Sequence, residues 1–598
     1  MNIDYEYHES DVLVIGGGLA GTNSACHVKK TDPNLRTILV DKGTVGRSGA
    51  SVFAAGVYNV VFPGDDFDDY LEEFVYRGEF LNDQRWVERY LNRNYGVAMQ
   101  MVGWGEADGK TVLERDERGE FVRRKSRGHI KSTHCVLHPL ETMQTMRDQC
   151  EAMGVLIRDR IMIYDLLMVE GRVCGALGFS VREGTVHVFL ARATVICSAG
   201  SGFKSVFVGH RNLTGDLQAA AFRAGAQLVG MEKTHANTGS AAHDIHGLNL
   251  FVGSGGRFIN GNGSEFMEDY DILGSRARLQ DLAIALSREV DEGRGPIYMD
   301  MRKVGLADQE LMRRVLPETF RTWDAAGVKP FESPVEWIVS WAGSRTAGGG
   351  VRINERCETS LPGLFAAGDL TDEPVHGTYA FGGVNVAFAA VSGAVSGEEA
   401  ARTVSSAPGT PSRKGVGDMV GNSVENMLAP LRRKSGSDPR DVVEKTLKVM
   451  VQDVGFLKEK GKIVQGLSEL ENAKDMADDV AAGDFHELMI ALESQSQPLF
   501  GSLMLESALI REESRGFHFR LEYPYSDNEN WLRWVVVQQG DKGPKFSTEE
   551  IPQLFYEPTT ARHRAPGTTQ AEAQEYGLSS AAARRVAEPA VRGGGVHD

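Results

Sequence analysis

None of the six cysteines, Cys26, Cys135, Cys150, Cys174, Cys197 and Cys357, sits in a CxxC pair or beside a histidine at ligand spacing. Neither a zinc site nor an iron–sulfur cluster is indicated, no metal residue is assigned, and the thiols read as buried and reduced. No apolar run is long enough to cross a bilayer, and the opening MNIDYEYHES is too acidic and polar for a secretory signal. The expectation is a cytoplasmic protein without a membrane span. Basic charge is also short: 65 Lys and Arg face 82 Asp and Glu, giving a net charge of −17. Such a chain repels nucleic acid and anionic lipid but not a basic protein partner. What remains is ordinary globular material, 41% hydrophobic and 25% charged, with no internal repeat. Its 598 residues suffice for about three or four structural units.

The clearest local pattern is DVLVIGGGLAGTNSACHVKK. A short apolar strand, Asp11 to Ile15, runs into Gly16-Gly17-Gly18-Leu19-Ala20-Gly21 and then a helix of small residues. Gly16 permits the tight turn, Gly18 lets backbone approach a pyrophosphate, and Gly21 lets helix and strand lie close. The pyrophosphate then rests on the helix N-terminus, against Leu19 and Ala20. A second strand, RTILVDK, ends at Asp41, where an acid meets a ribose hydroxyl. Both NAD and FAD fit this half. Further pieces favour FAD: the small-residue loop GTVGRSGASVFAAGVYN, with Ala55 and Gly56, and LFAAGDLT, which sets Gly368 and Asp369 at a strand end.

Between residues 154 and 203 the sequence reads as a strand meander with turns at Glu170-Gly171 and Glu183-Gly184, ending at Ala199-Gly200-Ser201-Gly202. From Met231 to about Ser344 its character changes, and strand-like, glycine-rich sequence returns afterwards. A chain that leaves an α/β sheet and re-enters it carries an insertion. The expected fold is α/β: a doubly wound, Rossmann-like FAD-binding domain (1–230 and 345–405) interrupted by an α+β capping domain (231–344). A C-terminal helical domain (406–557), with Asp438-Pro439 as a helix start, and an extended tail (558–598) follow.

Together these pieces resemble the succinate dehydrogenase/fumarate reductase flavoprotein family, from Asp11 to about Trp534. GRGPIYMD, Gly293 to Asp300, is similar to the capping-domain strand of adenylylsulfate reductase α-subunits. The resemblance implies that Asp41 with Lys42, Ser48, Ser51, Asp216 of the TGD turn, Gly368 and Asp369 contact FAD. It also implies that HGTYAFGGVN passes the flavin at Gly383 and Asn385. ESALIREESRGFHFRLEYPYSDNENWLRW resembles the family's C-terminal domain, and its many Glu and Arg read as an ion-paired, solvated face.

The departures from the family decide the substrate. Covalent-flavin relatives have a histidine in RSHT; here Arg47-Ser48-Gly49-Ala50-Ser51 has none, so FAD is expected to be non-covalent. The family's HGANRLGGNS clamps a substrate carboxylate with an arginine, where this chain has Ala380. The HYTMGG histidine is replaced by SRTAGGG, bringing Arg345 close. The shuttle-arginine position falls on Leu279, with Arg276 and Arg278 nearby. His235 in THANTG and His376 are retained. The resemblance thus implies hydride transfer between flavin N5 and a carbon beside an anionic or carbonyl group, on a small anionic substrate other than fumarate or succinate. His376, Arg345, His235, Arg278 and Arg276 are the catalytic candidates, against structural roles for each. Two other readings stand: the flavin subunit of an adenylylsulfate-reductase-like complex with a ferredoxin-like iron–sulfur subunit, and an electron-relay flavoprotein without a substrate site.

Overall fold

The computed structural model describes residues 4–204, 211–243, 245–343, 349–378 and 381–564. Arg345 and Ala380, and the tail beyond residue 564, lie outside the described residues. The first strand, β1 (Tyr5–Ile15), is fully buried from Val12 to Ile15, the continuous apolar run of a strand covered on both faces. Gly16 then turns the chain at φ 114°, and α1 (Leu19–Thr31) returns over the sheet to β2 (Thr37–Asp41), parallel to β1. Next come β3 (Leu156–Asp159), β4 (Ile161–Val169), β5 (Arg172–Ser180) and β6 (Val186–Ile196). Glu170 and Gly171, at φ 49° and 75°, make the two-residue turn between β4 and β5. The spatial order is β3-β2-β1-β6-β5-β4.

The chain leaves this sheet after β6 and re-enters at β7 (Leu364–Ala366), which pairs in parallel with the far half of β6, Leu364 opposite Thr194. The excursion builds a second antiparallel sheet from His235–Ser240, Val335–Gly343, Ile297–Asp300 and Arg257–Ile259, in that order. It has its own core around Phe251, Trp323 and Trp337. After β7, α2 (Val384–Val404) crosses α1 at very short range. A Cβ on Gly393 would sit 2.3 Å from the Ala20 carbonyl oxygen, and one on Gly397 2.2 Å from that of Ser24.

The C-terminal unit contains the helices Pro439–Leu447, Lys460–Asp478 and Phe485–Ile510, the first capped by Asp438, which accepts from the Arg440 backbone N–H at 2.8 Å. It adds a hairpin, Arg533–Gly540 with Gly543–Glu550, whose first strand pairs with Leu228–Val229 of the first domain. The solvated face expected from ESALIREESRG is corrected here: Arg511, Glu513, Arg515 and Arg520 are at most 2% exposed. Mutual pairing offsets their desolvation. Arg511 donates to Glu232 at 2.8 Å and to Glu513 at 2.7 Å; Arg515 grips both Glu513 oxygens and donates to the Glu79 carbonyl. Among the described residues no helix is long and apolar enough to cross a membrane.

The α1–α2 approach generates a sign test. An alanine in a helix is favoured over glycine by about 1 kcal/mol, but a Cβ forced onto backbone costs about 1–3 kcal/mol. Gly393→Ala is expected to lower the urea midpoint of this chain. Gly421→Ala, at an exposed helix position with nothing within 4 Å, is expected to leave it unchanged or raise it. Equal effects would contradict the close packing.

Candidate functional site

The carboxyl ends of β1, β2 and β6 open onto a groove of about 660 Å³. At its floor the glycine turn is locked from both sides. A Cβ on Gly16 would lie 2.5 Å from the Cys197 carbonyl oxygen, and one on Gly21 1.8 Å from the Gly16 oxygen. Helix α1 has Gly18 at its N-cap and no side-chain cap; the Leu19 N–H donates to Ser51 Oγ at 3.1 Å. The first turn of the helix, with the positive end of its dipole, lines the groove at Leu19 and Ala20, as an anionic pyrophosphate requires. Asp41 closes one end. Its carboxylate accepts from the Gly17 and Gly43 N–H groups, each at 2.6 Å, and from Ser48 Oγ at 3.2 Å. Burial nonetheless pushes its pKa up.

Lys42 joins the groove to the C-terminal unit. Its Nζ donates to Thr214 Oγ1 at 2.7 Å, Asp216 at 2.9 Å and Glu493 at 2.7 Å, and Glu493, 2% exposed, also pairs with Lys204. Burial works against the ammonium charge, yet Asp216 and Glu493 outweigh it and hold Lys42 above the usual lysine range. The opposite wall is Gly368 and Asp369, at the end of β7.

A smaller cavity of about 80 Å³ continues the groove and shares Ala50, Ser51, Asp369 and Ala389 with it. Ala55, Gly383 and Asn385 line it from the first domain; Asn237, His246, Leu248, Asn249 and Leu279 face them from the capping domain. Gly383, at φ 88°, is the N-cap of α2, and a Cβ there would press within 3.0 Å of the Asn59 N–H nitrogen. Gly382 before it is held twice: its N–H donates to the Arg127 carbonyl at 3.0 Å, and its carbonyl accepts from His129 Nε2 at 2.9 Å. Gly21, Gly56 and Gly200 line neither cavity; Gly21 serves the packing of α1, and the Gly56 carbonyl accepts from the Leu137 N–H. The groove is long, glycine-floored, anion-binding at α1 and acid-terminated at Asp41, a set of features that fits FAD.

The four catalytic candidates among the described residues do not line these cavities. His376 is buried beside Glu373, Nε2 to Oε2 3.8 Å, and burial, then Lys233 and Arg127, push it down to about 3, so it is neutral. His235 lies on the capping sheet, its ring 4.9 Å from that of Phe517. Arg278 is committed to Glu79 at 2.6 Å and Asp281 at 2.7 Å. Arg276 offers its carbonyl to the Gly128 N–H.

The small cavity instead presents Arg127, 1% exposed, whose Nε donates to Asn249 Oδ1 at 3.0 Å, together with His246. Neither was singled out from the sequence. Arg127 lies in the unremarkable stretch RRKSRGHIK, and only folding brings it beneath Gly382.

Removing the Lys42 charge isolates Glu493 and Asp216 from their shared partner. Lys42→Met is expected to weaken FAD retention by about 1–3 kcal/mol, roughly ten- to hundredfold in the dissociation constant read by flavin fluorescence. An unchanged constant would detach this cluster from cofactor binding.

Known proteins are similar to this chain along most of its length. A family described as "FAD binding domain" matches residues 11–386, and one described as "Fumarate reductase flavoprotein C-term" matches residues 444–564. One subunit of fumarate reductase (CoM/CoB) from Methanothermobacter marburgensis is 28% identical over 90% of this chain and 98% of its own. The fumarate reductase flavoprotein subunit of Mycobacterium tuberculosis is 26% identical over 94% and 98%. A quinol-fumarate reductase structure with menaquinol superposes with a TM-score of 0.83 at 21% identity, covering 93% of this chain and all of the other. Adenylylsulfate reductase from Archaeoglobus fulgidus does so with 0.77 at 20% identity, over 92% and 97%, a likeness of fold. With its glycine-floored groove, inserted cap and C-terminal unit, the chain belongs to the fumarate reductase/succinate dehydrogenase flavoprotein family of FAD-dependent oxidoreductases.

Proposed function

We propose that the chain oxidises or reduces a substrate carbon beside a single carboxylate or carbonyl group, the bound FAD supplying hydride exchange at N5. The observation that carries this reading is the charge inventory of the small cavity. Arg127 is the one arginine or lysine among its described lining residues and Asp369, on the side shared with the groove, the one carboxylate, while Val57, Leu248, Leu279 and Val386 give the otherwise polar lining its apolar part. Arg127, steadied by Asn249, orients the anionic end of the substrate; His246 holds the proton that accompanies hydride transfer. The apolar walls take up the remainder and exclude water. His376 and His235 act as positioning groups, the first beside Gly377 and the second on the capping sheet, and Arg278 as a buried tie between domains.

A dicarboxylate such as fumarate would bury a second charge here without a facing cation, at a cost of several kcal/mol. A monoacid or thioester conjugated to a double bond fits better. The sequence-based candidates Arg345 and Ala380 lie outside the described residues and carry none of this reading.

Two findings favour work as part of a complex: the relatives named above are themselves named as subunits, and all six cysteines are free and buried. The partner of this reading is a ferredoxin-like iron–sulfur protein that exchanges electrons with the flavin.

Three measurements test the reading. Acid precipitation is expected to release all yellow colour to the supernatant, because Arg47 to Ser51 contains no imidazole. Photoreduced enzyme mixed with α,β-unsaturated monoacids and their thioesters is expected to reoxidise far faster than with fumarate; equal rates would overturn the one-cation reading. Arg127→Ala is expected to lower kcat/KM by about ten- to hundredfold, the loss of one charge-assisted hydrogen bond of about 1.5–3 kcal/mol, with the flavin spectrum intact.

A further inference from the structure

Far from the groove, at the start of β1, two histidines and a glutamate converge. Glu6 and His8 are two residues apart on β1 and so project from the same face; His187 of β6 is the register partner of Glu6. His8 Nε2 lies 3.0 Å from His187 Nδ1, and Glu6 Oε2 lies 3.6 Å and 3.5 Å from those two nitrogens. All three ligand atoms fall within 4.8 Å of one another. The His8 ring stacks on Phe189 at 4.7 Å and on His187 at 5.2 Å, so the apolar sheet surface fixes its plane.

We propose that Glu6 Oε2, His8 Nε2 and His187 Nδ1 form a binding site for a divalent, zinc-like transition-metal ion. The decisive quantity is the spacing. Two donor atoms about 2.0–2.1 Å from a tetrahedral zinc ion stand about 3.3 Å apart, and the three observed separations bracket that figure. Without metal the His8 and His187 nitrogens share a hydrogen bond; an entering ion replaces it, the donor ring carrying its proton on its other nitrogen and both rings turning their lone pairs onto the ion. Two imidazoles with one carboxylate suit zinc-like ions over calcium or magnesium, which take all-oxygen shells. Arg158 and Arg36 oppose an added cation, while Glu6 and Glu183 favour it. The Glu6 side chain is 59% exposed, which gives the ion access and leaves a remaining position for water. His8 precedes Gly16 by roughly 25 Å of extended strand, so the role is a staple between β1 and β6, apart from redox chemistry. The histidines lie 179 residues apart, so no spacing rule applied to the sequence reveals them.

The test is a titration of chelator-treated, FAD-loaded full-length protein with Co(II), read as a difference spectrum to the red of the flavin bands. One equivalent is expected to give tetrahedral d–d absorption, competed away by Zn(II). His8→Ala, His187→Ala and Glu6→Gln are each expected to weaken binding by at least about tenfold, with flavin absorbance and circular dichroism as the check on folding. Unaltered affinity in any of the three variants, or absence of a stoichiometric band in the parent protein, overturns the proposal. Should His8→Ala fail to fold, His8→Asn gives the same reading.

Discussion

The structure depends on backbone meeting backbone around α1. On one side Gly21 lets the helix settle onto the Gly16 carbonyl; on the other Gly393 and Gly397 of α2 admit the Ala20 and Ser24 carbonyls at distances that no Cβ permits. These contacts decide where the N-terminus of α1 sits and where its N–H groups aim. The same α2 begins at Gly383 in the smaller cavity. One close-packed helix pair thus sets the distance between the glycine-floored groove and the smaller cavity, and larger residues at any of these glycines would separate them.

The second constraint is electrostatic and holds the domains around that pair. Glu232, Arg511, Glu513 and Arg515 form a buried chain that reaches the Glu79 backbone, and the Glu79 side chain pairs with Arg278, itself paired with Asp281. Residues from the first domain, the cap and the C-terminal unit all take part. Arg278 outweighs burial and holds Glu79 down to about 2, so this link stays charged at any physiological pH. Buried pairs of this kind contribute little net stability but are expensive to break, about 3–5 kcal/mol for one partner removed. Their effect here is geometric: they fix one orientation of the cap over the groove.

The strand–glycine–helix unit was legible because its signal is local, with strand end, glycine turn and helix start falling within a dozen residues. So was the insertion, since a sheet that stops and resumes leaves its trace in composition. Arg511 to Arg520 misled for the opposite reason: composition reports average exposure, and a self-paired cluster evades the average. Arg127 and His246 carry no local pattern at all. Their meeting depends on loops from two domains closing over Gly382, a contact that one sequence without its fold does not display. The retained histidines His235 and His376 were legible, a buried structural role being one of the two readings for each, but the neighbours Phe517 and Glu373 were not.

On the reading proposed here, selectivity in this fold follows from counting cations. A cavity that pairs two facing guanidinium groups stabilises both ends of a diacid; one with Arg127 as its sole guanidinium, and with Asp369, Leu248 and Leu279 in the rest of its lining, stabilises one end. The energetic difference does not come from the flavin or the cradle. An unpaired carboxylate against those leucines loses several kcal/mol of hydration, whereas an alkyl group or thioester gains about 25 cal/mol for each Å² it buries. Changing substrate class therefore requires no new architecture, only the loss of one guanidinium and the apolar wall that replaces it, while α1, α2 and the interdomain ion chain keep the reacting centres where they are.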